Sequence, residues 1–202
     1  YTGENADENK ELYRLIIKTK NYGYATTPIL SDYKTPVDCF TGRRSSNGGI
    51  IITTYNEDND NELCTTDVTI GSGNIRISNG AGGIVSGQIV GIGESAFKDK
   101  GLTSISFPIN QIKTIEDEAF AENPDLSTFD FTGITNIGNS AFSNTGLTEV
   151  VLSNTTHYGN NVFTSCNNLK TVTVNNDITT IGTGLFAQSG SVYGLNITIN
   201  GL

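Results

Sequence analysis

The feature that most constrains this chain is a repeat that begins at Ile89. Five times the sequence returns to an apolar residue followed by Phe: Ala96-Phe97, Ala119-Phe120, Ala141-Phe142, Val162-Phe163 and Leu185-Phe186. The steps from Phe to Phe are 23, 22, 21 and 23 residues. Five residues before each Phe stands an anchor: Ile92, Ile115, Ile137, Tyr158 and Ile181. Five or six residues after it stands another: Leu102, Leu126, Leu147, Leu169 and Val192. Self-similarity at a period of about 20 to 29 residues marks a stacked solenoid, in which no unit buries its apolar face alone.

One turn runs from Leu102 to Phe120. Ile105-Ser106-Phe107 alternates apolar and polar, which is strand period. Its counterparts are Phe129-Asp130-Phe131, Val150-Val151-Leu152, Val172-Thr173-Val174 and Leu195-Asn196-Ile197. Pro108 can end the first of these strands, because it has no N–H to give to a ladder. The next apolar pairs are spaced by three: Ile89/Ile92, Ile112/Ile115, Ile134/Ile137 and Ile178/Ile181. The stretch Ile115 to Phe120 is too short for a stable helix and suits a tight turn or a single 3₁₀ turn. Each turn is therefore expected to hold a strand, a bend and a short return arm, with the anchors pointing inward.

Leu102, Ile105, Phe107, Asn110 and Ile112 meet the consensus of leucine-rich repeats. The other turns drift from it: Phe131 to Ile134 is shorter by two residues, and Thr155 and Asp177 lie near the Asn position. A bacterial subclass matches better. Ile92-Gly93-Glu94-Ser95-Ala96-Phe97, Ile115-Glu-Asp-Glu-Ala119-Phe120 and Ile137-Gly138-Asn-Ser-Ala141-Phe142, with Phe163-Thr-Ser-Cys166-Asn-Asn-Leu169, resemble the BspA-like leucine-rich repeats of bacterial cell-surface proteins. The resemblance covers roughly residues 89 to 199. The fourth copy departs most, with Tyr158 and Val162-Phe163 in place of Ile and Ala-Phe. The resemblance implies a secreted or cell-surface protein, often lipid-anchored through a removed N-terminal segment or wall-attached. It further implies adhesion to host or extracellular-matrix proteins.

Charged residues make up 16% of the chain, while Gly, Asn, Ser and Thr are abundant, which suits short strands and turns. The net charge is −9, and from Ile89 onward ten acids and four bases leave −6. An acidic solenoid with no basic stripe argues against nucleic acid and against attraction to anionic lipid. No apolar run approaches the ~18 to 20 residues of a membrane span, so direct membrane insertion is not expected.

Cys166 lies where the periodicity is internal, and a buried thiol acts there as a small hydrophobe. Cys39 and Cys64 can pair in an oxidising compartment, although sequence does not show that they meet.

Residues 1–80 show no repeat. The first nine are polar and read as a frayed end or linker. Leu12 to Thr19 reads as a strand, with helix the competing assignment, and Asn21 to Pro36 as mostly loop. Ser46-Asn47-Gly48-Gly49 signals a hairpin feeding the strand Ile50–Tyr55. Asn56 to Asn61 reads as an acidic turn, Cys64 to Ile70 as a returning strand and Asn74 to Ser78 as another. Gly80-Ala-Gly-Gly83 marks a loosening before the repeats. This region reads either as a cap on the solenoid or as a separate β-domain with its own ligand. At the other end no polar cap follows Ile197-Thr-Ile199. Either the natural chain continues past Leu202 or the end is an exposed edge strand.

Residues pointing away from the core between the inward strand positions form two rows. One holds Ser106, Asp130, Val151 and Thr173, the other Ser104, Thr128, Glu149 and Thr171. They are the candidate ligand-binding residues, on the extended face that repeat proteins use. The competing account is that Ser and Thr merely tolerate strands and keep the sheet soluble. The rows hold no aromatic, so a broad contact is expected in place of a compact hot spot. The run Glu57 to Glu62 is dense in hard oxygen donors but lacks the Gly and Glu of a calcium-binding loop, and reads as a solvated hairpin tip. His157, the single histidine, has no neighbouring Ser or Cys in the sequence to make a nucleophile–base pair. Metal, phosphate and dinucleotide fingerprints are missing from the sequence. Asn154-Thr-Thr156 and Asn196-Ile-Thr198 match the glycosylation acceptor pattern.

The expected architecture is thus a leucine-rich-repeat solenoid of about five repeats over residues 81–202. It would have a parallel sheet and short 3₁₀ or turn returns, behind a β-rich cap or small domain over residues 1–80. The expected function is a monomeric, non-enzymatic, cofactor-free module binding an extracellular or host protein through the sheet face. The alternative is glycan binding, which suits the hydroxyl rows but is disfavoured by the missing aromatic.

Overall fold

The computed structural model describes residues 37–56, 64–152, 155, 157–175, 179–190 and 194–200, all within one compact unit, Ser31–Leu202. The expectations for residues 1–36, for the acidic run Glu57 to Glu62 and for the acceptor pattern Asn154-Thr-Thr156 lie outside the described residues. So do Val192 and Ile178.

A 3₁₀ turn at Val37–Cys39 leads into a hairpin of β1 (Phe40–Arg44) and β2 (Ile50–Tyr55). Its loop contains the predicted Ser46–Gly49 turn and is closed by Ser45 N donating to Gly49 O at 2.8 Å. Then come β3 (Asp67–Thr69), β4 (Ile75–Ser78), β5 (Ile84–Gly87) and β6 (Ile89–Ile92). The repeats follow with β7 (Ser104–Ser106), β8 (Thr114–Ile115), β9 (Asn136–Ile137) and β10 (Glu149–Leu152). The last elements are β11 (His157–Tyr158), β12 (Thr171–Val174), β13 (Thr180–Ile181) and β14 (Asn196–Ile199).

Each turn of the solenoid contributes to two sides. The return arms, expected to be turns, carry two-residue parallel strands that build a back sheet ordered β13-β11-β9-β8-β6-β2-β1-β4-β5. The front side holds β3-β7 and β10-β12-β14. Two readings of the N-terminal half change. Cys64 to Ile70 does not return along β2; its β3 pairs in parallel with β7 and is the first front rung. Gly80 to Gly83 is the tip of the β4–β5 hairpin, with Asn79 Oδ1 accepting from Ala81 N and Gly83 N.

Phe129-Asp130-Phe131 was expected to be a strand and forms none. The third front rung touches the fourth through Thr148 N donating to Ser127 O at 3.2 Å, and no ladder joins it to β7. Phe129 and Phe131 in this rung, and Phe107 in the rung before it, sit where the other front rungs carry Ile, Val or Leu. The Phe129 ring lies 5.5 Å from Phe107, 5.1 Å from Phe120 and 4.7 Å from Phe142, centroid to centroid. Seating these rings sets the rung's path in place of strand pairing. The final strand is also shifted from expectation: Val172 pairs with Ile197 and Val174 with Ile199, so Ile197, not Leu195, is the counterpart of Ile105.

A third side, between back and front, is the Ala-Phe corner. Here alternate amides bond to the next rung: Ser95, Phe97 and Asp99 N donate to Asp117, Ala119 and Ala121 O at 2.8 to 3.0 Å. Glu118, Phe120 and Glu122 repeat this with Asn139, Ala141 and Ser143. Two residues of each corner take a left-handed backbone: Ser95 and Asp99, Glu118 and Glu122, Ser140 and Asn144, with φ from 52° to 62°. Such a conformation costs a non-Gly residue about 1 to 2 kcal/mol, and the inter-rung hydrogen bonds it aligns offset that. Beneath the corner runs a column of rings. Phe97, Phe120, Phe142, Phe163 and Phe186 stack at 5.2 to 5.6 Å with interplanar angles of 20° or less. Tyr55 of β2 continues it, stacked 5.1 Å from Phe97, so the hairpin and the repeats share one core.

Three residues after Phe120, Phe142, Phe163 and Phe186 comes a polar residue that turns inward: Asn123, Thr145, Cys166 and Ser189. Asn123 is fully buried. Its Oδ1 accepts from Leu102 N at 2.9 Å and Lys100 N at 3.2 Å, and its Nδ2 donates to Phe97 O and Phe120 O at 2.8 Å each. Thr145 Oγ1 donates to Phe142 O at 2.9 Å, and Cys166 Sγ to the same carbonyl at 3.2 Å. Ser189 Oγ donates to Phe163 O. Cys166 is therefore both a small buried group and a member of this polar column, and burial pushes its thiol pKa up. Cys39 and Cys64 form a disulfide that ties the start of β1 to the approach to the first front rung.

Candidate functional site

The front side displays what alternation dictates. Along β10 the burial runs exposed, buried, exposed, buried, so Val150 and Leu152 enter the core while Glu149 and Val151 face out. Parallel register then aligns these outward residues between rungs. Glu149 pairs with Thr171 and Asn196, and Val151 with Thr173 and Thr198. On the other segment Asp67 pairs with Ser104 and Thr69 with Ser106. Thr128 and Asp130 are exposed on the third rung between the two segments.

All eight candidate residues thus lie on the front side, in the two rows expected, with Val151, Asp130, Glu149, Thr128 and Ser106 exposed and Ser104, Thr171 and Thr173 half-buried. The rows are longer than the sequence suggested. Asp67 and Thr69 extend them at one end, Asn196 and Thr198 at the other. The first pair was hidden because Val68, their inward neighbour, belongs to a rung without the Ala-Phe motif. The second was hidden by the shifted register of the last strand.

Rungs in a sheet lie ~4.8 Å apart and outward residues on one strand ~6.6 Å apart, so the rows form a grid of hydroxyls and carboxylates. Neighbouring groups within the grid bond to one another. Ser104 Oγ donates to the Asp67 carboxylate, and Ser106 Oγ lies 3.3 Å from Thr69 Oγ1. Asp130 Oδ1 accepts from Thr132 N at 2.9 Å, which holds the carboxylate against its own turn. Glu149 carries a charge outward with no ion-pair partner among the described residues. The rows contain Asp67, Asp130 and Glu149 and no Lys or Arg, so the face presents hydrogen-bond acceptors and negative charge.

The back sheet carries its own outward row, Gly91-Thr114-Asn136-His157-Thr180, aligned by parallel register. His157 therefore sits on a strand, β11. A shallow groove here is lined by Glu94, Thr114, Glu116, Asp117, Asn136 and His157. Two of its three carboxylates, those of Glu116 and Asp117, are engaged in structure. Glu116 pairs with Arg43 of β1 and accepts from Glu94 N at 3.1 Å. Asp117 accepts from Asn139 N at 2.7 Å and Asn139 Nδ2 at 2.8 Å. Asn139 Oδ1 in turn accepts from Asn160 N, and Asn160 Oδ1 from Thr183 N, both at 2.8 Å. This is a column that staples successive rungs. Among the described residues no group of His, Cys, Asp and Glu is arranged to hold a metal ion. No helix among them is long and apolar enough to cross a membrane.

Comparison with known proteins bears on the same repeats. The family model of the BspA-type leucine-rich repeat region matches residues 90–201 in six copies. Among solved structures, the chain is similar to a leucine-rich repeat protein of T. pallidum (25% identity, TM-score 0.58), covering 76% of this chain and 66% of that one. It is also similar to a leucine-rich cell surface protein from Faecalibacterium prausnitzii (20% identity, TM-score 0.58), covering 87% of this chain and 44% of that one. A leucine-rich repeat protein from Bacteroides ovatus shares 17% identity at a TM-score of 0.51, over 77% of this chain and 45% of that one. The chain thus spans two-thirds or less of the length of each of these relatives. No curated protein matches it.

Proposed function

Since the chain belongs to the BspA-type leucine-rich repeat family, we propose that it is an interaction module of a cell-surface protein, binding an extracellular or host protein through its front face. The observation that carries this reading is the pair of outward rows held in register across β3-β7 and β10-β12-β14. A solenoid core needs only the inward residues, so the outward ones are free to be chosen for a partner. The extended, polar face suits a broad protein contact, and the missing aromatic disfavours the stacking on which sugar recognition commonly rests. The similar protein from Faecalibacterium prausnitzii is a cell surface protein, which fits an adhesin-like role against host or matrix proteins.

The test is a binding screen of the purified chain against immobilised matrix proteins and a glycan array. Parallel chains carry Glu149→Ala and Thr173→Ala, neither of which removes a buried group. Saturable binding to a protein, weakened several-fold by these changes, supports the reading. Binding confined to glycans, or protein binding indifferent to every front-face substitution, refutes it.

A further inference from the structure

We propose that Asn79-Gly80, at the tip of the β4–β5 hairpin, is a self-modification site, where the Gly80 nitrogen closes on the Asn79 side chain and converts it to aspartate or isoaspartate. The molecule carries its own comparison. Among the described residues two hairpin tips hold the same tripeptide, Ser46-Asn47-Gly48 and Ser78-Asn79-Gly80, and both asparagines are exposed. What separates them is the hydrogen bonding that the fold lays around each.

The reaction needs a polarised side-chain carbonyl, a backbone nitrogen able to turn onto it and a leaving amide open to water. Asn79 Oδ1 accepts from Ala81 N at 2.9 Å and from Gly83 N at 2.8 Å. As the tetrahedral intermediate forms, negative charge gathers on that oxygen, between two donors already in place. The same donors steady the starting amide, but a charged oxygen accepts roughly twice as strongly as a neutral one, so the intermediate gains more. Gly80 N donates to Ser78 Oγ at 3.0 Å, a side-chain acceptor whose loss opens no backbone bond. Gly80 has φ 76° and open space where a Cβ would stand, so its nitrogen turns without a clash.

At Asn47 the same atoms are bound differently. Its Oδ1 meets one donor, Gly49 N, at 3.3 Å. Gly48 N donates to Ser45 O at 3.0 Å, a backbone bond within the β1–β2 turn, and Gly48 O accepts from Arg44 Nη1 at 3.2 Å. Turning the Gly48 nitrogen onto its neighbour would open that turn.

The chemistry balances with water alone. Hydroxide takes the Gly80 amide proton, the nitrogen bonds to Asn79 Cγ, and Nδ2 leaves with a proton from water as ammonia, giving a cyclic imide. Water then opens the ring. Addition at Cγ gives aspartate, whose carboxylate inherits the two N–H donors and strengthens the tip. Addition at the main-chain carbonyl gives isoaspartate, which lengthens the backbone by one carbon and pulls the tip apart.

Incubating the purified chain, folded and in urea, tests this. Peptide mass spectrometry reads both sites, and isoaspartate methyltransferase labelling reads the rearranged product. In urea the two Ser-Asn-Gly sites should convert at similar rates, because their local sequence is the same. In the folded chain Asn79 should convert at least about tenfold faster than Asn47, faster still as pH rises. Ala81→Pro removes one of the two donors and should slow Asn79 in the folded chain while leaving its rate in urea unchanged. A folded chain in which Asn79 stays intact, or converts no faster than Asn47, overturns the proposal, as does an undiminished folded rate at Asn79 in the Ala81→Pro chain.

Discussion

Replacing Asn123 by Ala probes whether the polar column holds the corner together. The side chain is fully buried and makes five hydrogen bonds of 3.2 Å or less, to Lys100 N, Leu102 N, Phe97 O, Phe120 O and Ala121 O. Leu102, Phe97 and Phe120 are themselves at 0% exposure, so the variant leaves three backbone groups without partners in a dry core. An unsatisfied buried group costs about 1 to 3 kcal/mol, and partial relaxation or entry of a water recovers some of it. The three are coupled, so a loss of about 3 to 5 kcal/mol is expected, a large part of the stability of an ordinary domain. Asn123→Thr places at the second rung the residue used at the third, where Thr145 Oγ1 satisfies Phe142 O. It should recover about 1 to 2 kcal/mol relative to Ala. Urea unfolding followed by circular dichroism gives the free energies, and hydrogen exchange at the Leu102 amide gives the local effect. An Ala variant within about 1 kcal/mol of the parent, or one whose Leu102 amide stays protected, refutes the assignment of a structural role to this column.

Four other outcomes follow from the same packing. Phe142→Ala, in the middle of the ring column and fully buried, should cost about 3 to 5 kcal/mol in urea unfolding, and Phe186→Ala, half-buried at the end, clearly less; equal losses would contradict the stack. Reducing the Cys39–Cys64 bridge, which closes a separation of 25 residues, should lower stability by about 3.5 kcal/mol on the chain-entropy scale, read as a fall in melting temperature. Gly159→Ala would place a Cβ 2.5 Å from Asn139 N and 2.7 Å from Gly138 C, so the rungs must part; a loss of about 1 to 3 kcal/mol is expected, and a neutral effect would show that they yield freely. Burial pushes the Tyr158 phenol up to about 12 from 10.0, with the Thr155 hydroxyl working the other way. The folded chain therefore holds that proton more tightly than the unfolded chain. Its contribution is intact below pH 10.0 and falls as pH rises toward 12, and Tyr158→Phe should remove that alkaline slope from the urea midpoint.

The repeat and the family were legible because burial depends on side-chain volume and polarity, which recur visibly: Ile92, Ile115, Ile137 and Tyr158 all reach the core. The two outward rows followed from the same alternation. What was hidden depends on the backbone. The polar column changes identity at every rung, from Asn123 to Thr145 to Cys166 to Ser189, because each needs only to reach a carbonyl, and a carbonyl has no letter in the sequence. Left-handed Ser95, Glu118 and Ser140 were hidden because propensity assigns that conformation to Gly. The third front rung was read as a strand because Phe129-Asp130-Phe131 alternates, yet alternation says nothing about whether neighbouring rungs come close enough to pair. The first rung was misread because β3 finds its partner 37 residues away in β7.

These gaps bear on how the molecule can carry a function. The forces that join rung to rung are concentrated on the back and at the corner: the ring column, the polar column, the alternate corner amides and the Asp117-Asn139-Asn160-Thr183 staple. The front side joins β10, β12 and β14 by a four-residue ladder, but at residues 127–131 it forgoes ladder bonds to β7 altogether while the stack continues unbroken. A side that can lose its ladder without loss of the fold is a side whose outward residues are under little structural demand. Exposed substitutions there are expected to stay within about 0.5 kcal/mol of neutral. The rows from Asp67 and Thr69 to Asn196 and Thr198 can therefore diverge in chemistry while the solenoid beneath them does not. In the back groove the opposite holds: Glu116 and Asp117 each anchor a neighbour, so a change made for a ligand would also loosen a rung. That asymmetry, more than the polarity of the rows, supports the proposal that recognition belongs to the front.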